Sequence, residues 1–187
     1  MDAFNYLAVL ISIILGLGIA HLLSGLGRVL QERRHVRSYW PAITWVILLL
    51  FLHVQTWWAM FGLRLLSRWT FPTFMLVLLQ PVTLYLLAAL ALPEDRVASV
   101  VDLKASYYGQ SRAFFSLTVV LLLVSLTRDR VLTGHFPGQM NTAMHGLFFL
   151  AWSGAAITKN EQYHRAVAVS TALLMVVYVM ALSLYLQ

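Results

Sequence analysis

The chain has 187 residues, of which 60% are hydrophobic and only 11% charged, with a formal net charge of +6. A soluble domain holds about 45–50% apolar and about 25% charged residues, so this chain lacks the polar groups to cover a water-facing surface, and a soluble globular protein is excluded. It has no cysteine, which excludes disulfides, thiolate metal sites and cysteine nucleophiles; its 13 Lys and Arg residues are scattered between apolar runs, as in membrane loops, and no nucleic-acid partner is expected.

Six apolar spans define one all-α, polytopic domain over 1–187, a bundle of six transmembrane helices. The first runs over about 4–27 and ends before Arg28. The second, about 41–63, opens on Pro41, a favoured first helical residue, and stops at Arg64. The third, about 71–92, is closed by Pro93 and the acidic pair Glu94 and Asp95. A segment over 94–112 mixes Val97, Val100, Val101 and Leu103 with Asp102, Lys104 and Gln110. It reads equally as an amphipathic helix at the cytoplasmic interface or as an extension of the fourth span. That span, about 108–127, stops at Arg128-Asp129-Arg130, taken as outer-loop charges. The fifth and sixth cover about 140–158 and 166–186. Such runs suit a bilayer core of about 30 Å, and helices satisfy their backbone groups internally, as lipid demands. The stretch after Met1-Asp2-Ala3 is too long, and its start too little basic, for a cleavable signal.

Orientation follows from the basic residues. The first, third and fifth loops hold Arg28, Arg33, Arg34, Arg37, Arg96, Lys104, Arg112, Lys159 and Arg165; the second and fourth hold Arg64, Arg68, Arg128 and Arg130. The positive-inside rule puts the first group in the cytoplasm, and both termini outside.

Asp102-Leu103, Tyr107-Tyr108 and Arg112-Ala113-Phe114-Phe115, with Gly16-Leu17-Gly18-Ile19-Ala20-His21-Leu22-Leu23 in the first span, form a pattern that resembles small multi-pass bacterial membrane proteins of unassigned function. The resemblance implies a bacterial inner membrane and brings no activity with it.

The polar residues within the spans are the candidates for function. They include His21, His53, Thr56, Gln80, Thr83 and His145; no Asp, Glu, Lys or Arg lies mid-span. Histidine is then the only mid-span group titrating near neutral pH. At 1.5 Å per residue, His53 and His145 stand at similar depths, about 18 and 21 Å from the cytoplasmic boundary, and His21 at about 10 Å. The pair reads as helix glue, as part of a polar path with Gln80 and His21, or as two axial ligands of a b-type haem. No other metal site is expected. Gly16, Ala20 and Ser24 recur every four residues, a stripe for close helix contact, placed preferentially within the chain. Pro81 removes one backbone hydrogen bond from the third span, and Gln80 or Thr83 stands ready to satisfy the freed group.

Three functions are therefore carried forward. The first is a homo-oligomeric channel or transporter with a histidine-containing path. The second is a non-catalytic protein that binds lipid or a membrane partner. The third is a haem electron carrier. Catalysis is not expected.

Overall fold

The computed structural model describes residues 3–66, 69–93 and 101–185. Six helices account for most of them: α1 (Ala3–Gln31), α2 (Trp40–Ala59), α3 (Phe71–Ala91), α4 (Leu103–Thr133), α5 (Gln139–Ile157) and α6 (Glu161–Tyr185). A 3-10 helix, Met60–Leu65, prolongs α2. Four segments are long and apolar enough to cross a membrane: Phe4–Gln31, Trp40–Arg64, Phe71–Ala91 and Leu103–Thr133.

Local chemistry sets the boundaries. Pro41 and Pro72 occupy first-turn positions of α2 and α3, where the missing N–H costs nothing. Asp102 caps α4: its Oδ1 accepts from the backbone N–H groups of Lys104 and Ala105, at 2.9 and 3.0 Å. Asn160 does the same for α6, accepting from Gln162 and Tyr163. Gly134 ends α4 in the left-handed region, at φ 80°, and its N–H donates to the Arg130 carbonyl. Because Asp102 caps there, residues 103–112 are the first turns of α4, the second of the two sequence readings; residues 94–100 lie outside the described residues.

The helices close into a ring in the order α1, α3, α4, α5, α6, α2, back to α1. Contacts of α2 with α3 and α4 cross its middle, so the centre is packed. Trp45 is its hub, edge-on to Phe114, Phe115 and Trp152 at 5.3–6.1 Å between ring centres. The outer surface is apolar: Ile13, Ile47, Val54, Leu123, Leu150 and Leu173 are each more than 48% exposed. Apolar side chains in such numbers suit lipid and not water.

The two ends of the bundle differ. At the basic end, where the connections α1–α2, α3–α4 and α5–α6 meet, β1 (Val36–Arg37) pairs in parallel with β2 (Val101–Asp102). Lys104 bonds Glu161 across to α6 at 2.6 Å, and Arg165 joins the same carboxylate. The opposite end has short connections, with Arg64 lying over the rings of Phe4 and Phe61.

Candidate functional site

The buried face of α4 runs through Phe114, Thr118, Leu121 and Leu122. Continued by three or four residues at a time, it reaches Arg128 and Leu132. Arg128 is therefore not a loop residue but a helical one, and its side chain, 22% exposed, turns inward. It donates to the Gln80 side-chain carbonyl on α3 and to the Asp129 carboxylate, at 2.8 Å from Nη2. Gln80 in turn donates to the Thr56 hydroxyl on α2, at 3.4 Å. This chain of polar groups lines a cleft of about 170 Å3 at the end opposite the basic one. Its remaining walls include Ile11, Met60, Gly62, Val77, Pro81, Leu132 and Thr133.

Gln80 and Pro81 both line this cleft, but the freed backbone group is not satisfied as expected. Thr83 donates to the Leu79 carbonyl at 2.7 Å, and Gln80 is held by Thr56 and Arg128. No side chain among the described residues donates to the carbonyl of Val77, which Pro81 leaves without its helical partner.

The histidines do not join the cleft. His53 is fully buried. Its Nδ1 donates to the Leu49 carbonyl at 2.7 Å, and its Nε2 faces Gly18 of α1, where an added methyl group would stand only 2.2 Å away. His53 thus packs α2 on α1, with Gly18 making the approach possible. His145 lies on α5, which packs on α4 and α6, and its Nδ1 bonds the Asn141 carbonyl at 2.9 Å. No hydrogen bond or ring contact joins His53 to His145 among the described residues. His21 is half-buried on α1. The small-residue stripe also faces elsewhere than expected. Gly16, Ala20 and Ser24 are exposed, while Leu15, Gly18, Leu22 and Gly25 form the packed face. A stripe and the packed face two residues away cannot both point inward on a helix.

A haem does not fit the two candidate ligands. An axial imidazole must present a nitrogen to open space, and the free nitrogen of His53 is closed off by the α1 backbone. Among the described residues no group of three or more His, Asp or Glu side chains could hold a metal ion.

One histidine that sequence reading passed over is His164. It is fully buried near the start of α6. Its Nε2 donates to the Thr158 carbonyl and its Nδ1 accepts from the Tyr107 hydroxyl, both at 2.9 Å. The rings of Tyr108 and Phe115 stack edgewise or tilted against it, and Tyr108 shares a hydrogen bond with Tyr39 at 3.0 Å. Burial and that bond push the Tyr39 phenol above its ordinary range, so it stays protonated. Every polar group of this cluster has a partner within the protein, so it joins α4, α6 and the first connection. The signal was available: His164, Val167, Ala168 and Thr171 share one buried face of α6.

Compared with protein-family models, curated proteins and solved structures, the chain matches none. The functional reading therefore rests on the cleft.

Proposed function

We propose that the protein is a six-span integral protein of a bacterial inner membrane that takes a small polar solute into the Gln80–Arg128 cleft, as a transporter or gated channel. α5 and α6 complete the six spans, and both termini face outward, so that the cleft opens on the extracytoplasmic side. The observation that carries this reading is a guanidinium turned into the bundle. A charge facing the interior of an apolar helix bundle is costly and is kept where it meets water or a solute. Of the sequence candidates, Gln80 belongs to the path. His53 and His145 act in packing and on the lipid side, so the histidine-lined path is replaced by one of amide, hydroxyl and guanidinium groups. The path is single-ended: Trp45, Phe114, Phe115 and Trp152 fill the interior toward the basic end. A transporter holds its site closed to one side in this way, and passage requires those rings to move.

The test is osmotic shrinkage of proteoliposomes in a panel of small neutral and charged solutes. At least one solute of up to about ten non-hydrogen atoms enters faster than in empty liposomes, and Gln80→Leu abolishes the difference. Equal rates with and without protein for every solute refute the reading.

A second reading, an interaction protein, is favoured by the outward stripe Gly16, Ala20 and Ser24. Two copies meeting on it would make the homo-oligomer. Ser24→Leu then lowers the mass measured by light scattering in detergent; an unchanged mass removes that contact.

A further inference from the structure

The chemistry of the cleft narrows the solute, given the reading just proposed that a solute enters it. Its two ionic groups, Arg128 and Asp129, are neighbours on α4 and bonded to each other, so the lining carries no net charge. An ion of one sign entering here would lose its hydration and meet a like charge beside the opposite one. Pro81 adds an acceptor. Val77 and Pro81 both line the cleft, and the Val77 carbonyl lacks the N–H that any other residue at position 81 would supply. Gln80 and Thr56 complete a wall of neutral donors and acceptors. The volume sets the size: a cavity of about 150 Å3 holds a ring of six carbon atoms, so about 170 Å3 holds a solute of similar size.

We propose that the solute is a zwitterion of the size of alanine, its carboxylate on the Arg128 guanidinium and its ammonium on the Asp129 carboxylate and the Val77 carbonyl. Charges of both signs then find partners within one cleft, and no uncompensated charge enters the low-dielectric interior. Ile11, Met60 and Leu132 give a short side chain an apolar wall, and an uncharged hexose offers neither the carboxylate nor the ammonium.

The experiment uses the full chain in mild detergent and reads the shift in melting temperature with alanine, acetate, ethylammonium or glucose. Alanine raises the melting temperature in a saturable way. Acetate and ethylammonium need about tenfold higher concentration, because each leaves one protein charge unmatched, and glucose has no effect. Asp129→Asn weakens alanine about tenfold and removes its advantage over acetate. Pro81→Ala restores an N–H for the Val77 carbonyl and weakens alanine while leaving acetate unchanged. The unliganded melting curve of each variant establishes that it folds, and Asp129→Asn stands as the test if Pro81→Ala does not. Acetate equal to alanine would make the cleft an anion site, and ethylammonium equal to alanine a cation site. Either result overturns the zwitterion and leaves a polar-solute cleft standing. If no probe shifts the wild-type protein, the zwitterion is overturned, and the liposome permeability decides separately whether any solute passes.

Discussion

Gly18→Ala probes the contact on which α1 and α2 are packed. The added methyl would stand 2.2 Å from His53 Nε2 and 2.8 Å from its Cδ2, whereas ordinary contact begins at 3.4 Å. The imidazole has little room to yield. It is fully buried, and its Nδ1 is tied to the Leu49 carbonyl on its own helix. One helix must therefore move by about 1 Å, away from close-packed neighbours. Overpacking of this kind costs about 1–3 kcal/mol. Gly16→Ala is the control: nothing lies within 4 Å of its added methyl, and alanine gains about 0.5–1 kcal/mol in a helix. Unfolding of both variants in mixed detergent micelles, followed by tryptophan fluorescence, gives the two values. A double-mutant cycle with His53→Ala isolates the clash, because removing the ring makes room for the methyl; the coupling is about 1–3 kcal/mol. Equal stability of the Gly16 and Gly18 variants, or a coupling near zero, refutes the packing role assigned to His53.

Further outcomes follow from the same structure. Gly154→Ala places a methyl 2.2 Å from the Tyr163 hydroxyl, which donates to the Ala151 carbonyl at 2.9 Å; it destabilises the α5–α6 corner, and Tyr163→Phe relieves most of the loss in thermal melts. Tyr107→Phe leaves the buried Nδ1 of His164 without its donor and costs about 1–3 kcal/mol; a melt identical to wild type would show that water takes the place of the phenol. Lys104, and then Arg165, hold the Glu161 carboxyl below the usual carboxylate range. A depressed folded value stabilises the protein above the unfolded value of about 4.3, and the contribution is lost as pH falls through the folded value. Glu161→Gln therefore lowers stability slightly at pH 7 and removes that part of the acid loss. The difference shrinks in high salt, because these side chains are partly exposed; an unchanged acid limb in the variant counts against the pairing.

Much of the architecture was legible from composition and patterning. The start of α2 fell at Pro41, because a proline in the first turn is a local signal that a few adjacent residues decide, whereas α1 and α4 ran past the charges expected to end them, to Gln31 and Thr133. The cleft was only partly legible. Gln80, Thr56 and Pro81 stood out as polar or irregular residues in apolar runs, yet Arg128 was read as a loop charge because a run of charges looks the same at a helix end as beyond it. Its direction is set by the phase of α4, which Gly134 ends five residues after Asp129.

Sequence alone determined that this chain is helical, with apolar runs long enough to cross a membrane, and without cysteine chemistry, because hydropathy and residue inventory do not depend on which helix meets which. Only the tertiary structure decided the partners. Depth arithmetic placed His53 and His145 at one height, but height says nothing of azimuth, and His53 turns to Gly18 while His145 lies on another wall of the ring. The small residues Gly16, Ala20 and Ser24 and the packed Gly18 and Gly25 differ by one or two positions on a helix that turns about 100° per residue. Which of them faces the bundle depends on all the neighbouring helices at once, and that information resides in the packing.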